Sequence, residues 1–171
     1  MRIYLSRHAI AAPRDARRYP DDSVRPLTHE GRRRMTRAAR GLRTAGQSVD
    51  LILSSPLLRA RQTAEILARA CRPHPPIRIA RTLSPGGRTA EILAGIGSVP
   101  RLGAVLLVGH EPDLSRLAGE LLLDGNDALA IEFRKGGICR IDFEGAPRPG
   151  EGRLIFHLTP RILRRLGRPE A

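Results

Sequence analysis

Short apolar runs recur along the chain at the length typical of strands. The run 104–108 is apolar throughout, which is typical of a strand covered on both faces. The last two runs are joined by the Gly- and Pro-rich turn 144–152, so we expect them to form an antiparallel hairpin. The pattern predicts six strands, over residues 3–5, 49–53, 77–83, 104–108, 136–143 and 154–158.

Segments with helical spacing lie between these runs. Thr28 is a predicted N-cap, apolar residues repeat on one face of the segment that follows, and Gly46 ends it. Ser55 as N-cap and Pro56 at the first helical position predict that the second strand passes directly into a helix. Further helices are predicted over residues 89–96, from Pro112 to about residue 123, and as a short helix in the tail 160–171.

The alternation of strands and helices predicts the fold class. It indicates an α/β protein, a three-layer α/β/α sandwich whose sheet is mostly parallel with an antiparallel edge strand. A chain of 171 residues has the size of one domain, so we expect a single domain without a cap and with a basic tail over 161–171. We also expect a monomer.

Apolar runs as long as a membrane span do not occur in the sequence. A spanning helix needs about 20 consecutive apolar residues. The N-terminus lacks the pattern of a secretory signal, because Met1 leads directly into the first strand and then into charged residues. We therefore expect no membrane partner and a cytoplasmic location.

The formal net charge of +13 is carried almost entirely by arginine, since Lys135 is the only lysine. A basic surface attracts nucleic acid, acidic proteins or phosphorylated ligands. A compositional bias toward arginine and an electrostatic role both explain this charge. Aromatic residues make up 3% of the chain and Trp is absent, so little material exists for stacking on bases, and we do not expect nucleic acid as the partner.

Basic side chains follow three of the predicted strands. Arg7 and His8 end the first, Arg59 lies in the helix after the second, and His110 follows the run 104–108. Helical side chains lean toward the N-terminus, so Arg59 reaches over the strand end while Arg61 points elsewhere. Parallel strands bring these ends to one edge, where ligands bind in such sheets. Arginine forks match phosphate oxygens, and histidine offers a nucleophile and a donor, which predicts a phosphoryl-transfer pocket.

Two other kinds of phosphate or metal site have no counterpart in the sequence. There is no Gly-rich phosphate loop ending in Lys and no pair of histidines at metal-ligand spacing. We therefore expect neither a metal nor another cofactor.

These motifs resemble the signatures of the histidine phosphatase superfamily, and the resemblance covers residues 1 to about 160. The family's opening Arg-His-Gly motif corresponds to Ser6-Arg7-His8-Ala9, and its second and third signatures correspond to 54–60 and Val108-Gly109-His110. The segments 22–28 and 83–86 are similar to the small bacterial phosphohistidine phosphatases of the SixA type. The resemblance implies a phosphoglycerate mutase-like fold and a hydrolase.

The resemblance also implies roles for individual residues. His8 would attack phosphorus and carry the phosphoryl group as phosphohistidine, while Arg7, Arg59 and His110 would hold its oxygens. Arg25 would be a further phosphate ligand. Water would then hydrolyse the intermediate.

Two positions depart from the family pattern. Ala9 replaces the glycine of the first motif. The glutamate that related enzymes use as an acid is replaced by the stretch Thr82-Leu83-Ser84-Pro85. The general acid is therefore open, and the candidates are Asp22, Glu111 and a protonated His110.

The expected substrate is phosphohistidine on a partner protein. The alternative within the same family is a small phosphate ester, which would make the protein a small-molecule phosphomonoesterase. Mutase activity is not expected, because no large insertion is available to enclose a small ligand and exclude water. From a different class, the alternative is a basic module that binds RNA or polyphosphate.

Overall fold

The computed structural model describes residues 1–97, 103–123, 129 and 131–168. Six strands form one mixed sheet. They are β1 (Arg2–Arg7), β2 (Leu51–Ser54), β3 (Ile77–Ile79), β4 (Ala104–Gly109), β5 (Ile138–Asp142) and β6 (Arg153–Leu158).

The strand order is β3-β2-β4-β1-β5-β6. The apolar strands β1 and β4 pair in parallel at the centre, from Arg2 opposite Ala104 to Arg7 opposite Gly109. Strand β5 runs antiparallel to both β1 and β6. The predicted hairpin and the mostly parallel sheet are confirmed.

In the part of the chain that the structure describes, five α-helices cover the two faces of the sheet: α1 (His29–Thr44), α2 (Leu58–Ala70), α3 (Thr89–Gly97), α4 (Asp113–Leu122) and α5 (Pro160–Leu166). Side chains alternate along β1, so Tyr4 packs with α1, α2 and α5, whereas Ile3 and Leu5 pack with α3 and α4. Two apolar cores result, one on each face, and the predicted α/β/α layering is confirmed. No α-helix in the described part of the chain is long and apolar enough to cross a membrane.

The predicted start of α1 is confirmed, because the Thr28 hydroxyl accepts a hydrogen bond from the Gly31 amide at 2.9 Å. The predicted start of α2 is wrong by two residues. The helix begins at Leu58, with Leu57 as an N-cap that offers no side-chain bond. The Ser55 hydroxyl, expected to cap a helix that starts at Pro56, accepts from the Leu57 amide at 3.4 Å and also bonds to His110.

The predicted third strand is too long. Strand β3 ends at Ile79 because its neighbour β2 ends at Ser54, directly opposite, and no partner remains beyond that pair. The chain then turns into a 3-10 helix over Arg81–Leu83, in which the Leu83 amide donates to the Ala80 carbonyl. The tail forms α5 against α1, and residues 169–171 of the predicted basic tail lie outside the described residues.

Candidate active site

Three segments meet at the carboxyl edge of β1, β2 and β4. The His8 amide donates to the Gly109 carbonyl at 3.1 Å, and the Ser55 amide donates to the Val108 carbonyl at 3.0 Å. These backbone bonds extend the sheet by one residue past the strand ends. As a result, the rings of His8 and His110 lie 5.2 Å apart, centre to centre.

The His8 side chain is 7% exposed, and its tautomer follows from its hydrogen bond. Nδ1 lies 2.7 Å from the Ala9 carbonyl oxygen, which only accepts, so Nδ1 carries the proton. Nε2 therefore keeps its lone pair. Burial, together with the nearby His110 and Arg59, lowers the pKa of His8 to about 3, although the bond to Ala9 opposes the shift. The imidazole is neutral near pH 7, which is the form that can act as a nucleophile.

The two arginines at this edge keep N–H groups without a protein partner. Arg7 donates from Nη1 to the Phe133 carbonyl at 2.7 Å, and its Nε is buried and unpaired among the described residues. Arg59 is 4% exposed, and its Nε is likewise unpaired within the described chain. An unsatisfied buried donor costs roughly 1–3 kcal/mol, and more when it is charged. Such a cost is expected where an external anion supplies the missing acceptor.

His110 is held by its other ring nitrogen. Nε2 lies 2.9 Å from the Ser55 hydroxyl, while Nδ1 is buried and has no partner in the described residues. Burial, followed by the charge of Arg59, lowers the pKa of His110 to about 4. His110 is thus neutral near pH 7, with Nδ1 free to interact with a bound group.

Asp22 brings the long loop over 8–28 to Arg59. Its carbonyl accepts from Arg59 Nη1 at 2.8 Å, and its carboxylate Oδ2 lies 3.0 Å from Arg59 Nη2. The other carboxylate oxygen accepts from Arg25 Nε at 2.8 Å, and Arg25 also donates to the Ala12 carbonyl. Arg25, predicted as a phosphate ligand, is therefore tied to the same carboxylate as Arg59.

The three candidate acids differ in their surroundings. The hydrogen bond from Arg25, helped by the charge of Arg59, holds the pKa of Asp22 below its usual value. Glu111 accepts from the Ser115 hydroxyl at 2.6 Å through Oε2, and its Oε1 is buried without a partner among the described residues. In the free protein near pH 7 Asp22 is ionised and His110 is a neutral imidazole, so neither is in its acid form, and the general acid stays open among the three.

Two residues that support the site were missed by the sequence reasoning. The Thr63 hydroxyl accepts from the Ala9 amide at 3.0 Å and donates to the Arg59 carbonyl at 2.7 Å, so it ties the segment after His8 to α2. The sequence could have indicated this role of Thr63, because Thr63 lies one helical turn after Arg59 on the buried face of α2. The second is Ser55, whose hydroxyl was assigned to a helix cap. The departure at Ala9 is accommodated, since its side chain is buried and both of its backbone polar groups are bonded.

The described residues contain no group of three or more His, Cys, Asp or Glu side chains arranged to hold a metal ion. The side chains that do converge are two neutral imidazoles and two guanidinium groups, each with a buried Nε that has no partner in the described chain. Fold and side chains together define an α/β protein with a candidate anion site at the carboxyl edge of its sheet.

Comparison with known proteins identifies the family. Residues 3–84 match the model of the histidine phosphatase superfamily, branch 1. The chain is 38% identical to an uncharacterised protein of Picosynechococcus over 92% of this chain and 90% of that protein. It is 30% identical to the phosphohistidine phosphatase SixA of Escherichia coli K12 over 71% of this chain and 74% of that protein.

The fold agrees with this relationship. A structure of the protein histidine phosphatase SixA complexed with tungstate superposes with a TM-score of 0.80 and 25% identity, covering 95% of this chain and 99% of that one. The chain belongs to the histidine phosphatase superfamily, and the family implies a phosphatase or mutase activity.

Proposed function

We propose that the protein is a metal-independent phosphatase that forms a covalent phosphohistidine on His8 and removes phosphoryl groups from histidine on a partner protein. The observation that carries this proposal is the neutral, buried His8, whose Nε2 keeps its lone pair because Nδ1 bonds to the Ala9 carbonyl, beside two arginines whose Nε groups are unpaired in the described chain.

The chemistry proceeds in two steps at one phosphorus atom. In the first, the lone pair of His8 Nε2 attacks phosphorus, the bond to the leaving group breaks, and the leaving group takes up a proton. In the second, water attacks the phosphohistidine, releasing inorganic phosphate and restoring His8. Arg7, Arg59 and His110 hold the phosphoryl oxygens in both steps, which stabilises charge in the transition states. Arg25 adds a further contact once Asp22 moves aside.

The shape of the site favours a phosphoryl group displayed on another protein. The described connections after β2 and β4 are short, over 55–57 and 110–112, and the connection over 80–88 holds a 3-10 helix. The longest described overhang at this edge is the loop over 8–28. Small ligands bind tightly only when most of their surface is buried. An edge of the sheet that is this open encloses little of a small ligand. The SixA relatives, one of them complexed with the tetrahedral oxyanion tungstate, support this choice.

Trapping the intermediate tests the mechanism. Brief reaction with a radiolabelled phosphohistidine protein, followed by denaturation in base, should leave label on His8 that is stable to base and lost in acid. His8→Asn should abolish both label and turnover, whereas His74→Asn, which replaces an exposed histidine, should keep both. Label on another residue, or near-normal turnover by His8→Asn, contradicts the mechanism. Loss of turnover in EDTA contradicts the metal-independent part.

Steady-state kinetics tests the substrate. We expect kcat/KM to be at least tenfold higher for a phosphohistidine on a folded protein than for sugar phosphates or phosphoglycerates. A small ester processed at about 10⁵ M⁻¹s⁻¹ or faster, with negligible action on phosphohistidine proteins, would instead identify a small-molecule phosphomonoesterase.

A further inference from the structure

A second basic surface lies on the outer side of α1 and α5, and none of the four proposed site residues Arg7, His8, Arg59 and His110 lines it. Its centre is a cavity of about 250 Å³ lined only by arginines, which include Arg37 and Arg164. Arg168 also lines a neighbouring cavity of about 620 Å³, together with Arg40 and Arg43. We call six of these residues the arginine track: Arg37, Arg40, Arg43, Arg161, Arg164 and Arg168.

The backbone forces these arginines together. Helices α1 and α5 touch at two glycines: a Cβ on Gly41 would lie 1.9 Å from the Leu163 carbonyl oxygen, and one on Gly167 would lie 2.0 Å from the Arg37 carbonyl oxygen. No side chain fits at either point, so the helices approach to backbone contact. Arg164 is consequently pressed against like charges, and burial together with Arg34 and Arg37 lowers its pKa.

In the described chain, the positive charge of the track is compensated in part, by the charge of Glu30 acting on Arg164. Within the described residues, none of its six members forms an ion pair. The nearby Glu30 is held by Arg33 and Arg34, which are outside the track. Some arginines on other surfaces do have carboxylate partners; examples are Arg88 with Glu91, Arg148 with Glu151 and Arg153 with Glu144. What sets the track apart is that most of its arginines lie together around a cavity lined by arginines alone, an arrangement that suits an external anion.

The spacing of the arginines along α1 indicates an anion whose charges are closely spaced. Arg37 and Arg43 are six residues apart on α1, which is about 9 Å at 1.5 Å per residue. Each strand of a nucleic acid duplex carries one negative charge per roughly 3.4 Å, hence about three over that length, which matches the three arginines Arg37, Arg40 and Arg43 of α1. Planar guanidinium forks also match phosphate oxygens in two-point contacts.

We propose that the arginine track binds the phosphate backbone of duplex nucleic acid without reading its sequence. The small number of aromatic residues argues against stacking on single strands, but contacts with the backbone need no aromatic side chain. The two cavities along the track have room for phosphate groups. This binding is separate from the proposed phosphatase activity and does not depend on it.

Fluorescence anisotropy with a labelled 20-base-pair DNA duplex tests the proposal. Binding should weaken linearly in a plot of log affinity against log salt, with a slope of about −0.9 for each phosphate contact. Arg37→Gln/Arg164→Gln/Arg168→Gln should bind at least tenfold more weakly at 50 mM NaCl, with a slope shallower by roughly 2–3. The matched control Arg88→Gln/Arg148→Gln/Arg153→Gln loses the same charge and should keep the parent slope.

Four outcomes would overturn the proposal. The first is that both triple variants bind the duplex equally weakly, and the second is that the protein strongly prefers one of two unrelated duplexes. The third is that polyglutamate competes for the protein as effectively as unlabelled duplex does. The fourth is that the protein binds inorganic polyphosphate but not the duplex. Circular dichroism establishes that each variant is folded. Should the track triple variant fail to fold, Arg40→Gln/Arg43→Gln, which changes two exposed side chains, should reduce the slope by about 2, and an unchanged slope would equally reject the track.

Discussion

The buried histidines predict a loss of stability in weak acid. His8 has a folded pKa of about 3, against about 6.5 in an unfolded chain. Because the folded value is the lower one, the unfolded chain takes up the proton first, and the free energy of unfolding falls as pH drops below about 6.5. At pH 5 this amounts to about 2 kcal/mol for His8, from 1.5 pH units at 1.36 kcal/mol each.

His110, with a folded pKa of about 4, adds about 2 kcal/mol over the same interval. His8 and His110 together therefore lose about 4 kcal/mol between pH 8 and pH 5, a large part of the 5–15 kcal/mol typical of a domain. Burial also lowers the pKa of His157, which adds to the loss in the same direction. Carboxylates whose folded pKa is depressed, such as Asp22, lose their contribution only at lower pH, below about 4. The change in the free energy of unfolding between pH 8 and pH 5 therefore reports on the histidines.

Urea unfolding followed by circular dichroism at both pH values measures this difference, which is convenient because the chain has no Trp. His8→Gln cannot take up a proton and should lose about 2 kcal/mol less than the parent between pH 8 and pH 5. The control His74→Gln changes an exposed histidine outside the site and should behave as the parent does. Were His8→Gln to show the parent difference within about 0.5 kcal/mol, His8 would not be held as a buried neutral imidazole.

Three further variants test how the site is assembled. Arg59→Ala should lower turnover by about 10² or more through a lost transition-state donor, while Arg61→Ala, at an exposed position, should be nearly silent; equal kinetic losses would contradict the helix geometry. Thr63→Val keeps the shape but removes both bonds to Ala9 and Arg59, so kcat should fall more than KM rises, and Thr63→Ser should restore it. Asp22→Asn removes the carboxylate that competes with an anion for Arg59, so the Ki of inorganic phosphate or tungstate should fall roughly 3- to 10-fold. A higher Ki would mean that Asp22 does not compete for Arg59.

The sequence predicted those parts of the site that depend on strand ends. Arg7, His8 and His110 each follow a strand at the centre of the sheet, and parallel pairing of neighbouring strands brings such ends to one edge whatever the details of the loops. The distinction between Arg59 and Arg61 also followed from helical geometry alone, and their buried and exposed positions agree with it.

Features that depend on a partner far along the chain were not predictable. Strand β3 ends where β2 stops offering a partner, which a single run of apolar residues does not reveal. The hydroxyl of Ser55 accepts from the Leu57 amide and also contacts His110, and this second contact depends on the approach of β4 to β2, which the local sequence does not reveal. The loop over 8–28 has no hydrophobic period, so its contact with Arg59 could not be derived.

The contact between Asp22 and Arg59 sets a condition on any ligand of this site. In the free protein the Asp22 carboxylate already occupies Arg59 Nη2, and the Asp22 carbonyl occupies Nη1. A phosphoryl group that takes both of these nitrogens must displace the loop, so its contact with them gains only the difference between two charge-assisted interactions, each worth about 1.5–3 kcal/mol. The same exchange eases departure of phosphate, because the carboxylate returns as phosphate leaves. Asp22 therefore weakens the binding of the product phosphate through its contact with Arg59. This effect does not require Asp22 to act as a proton donor.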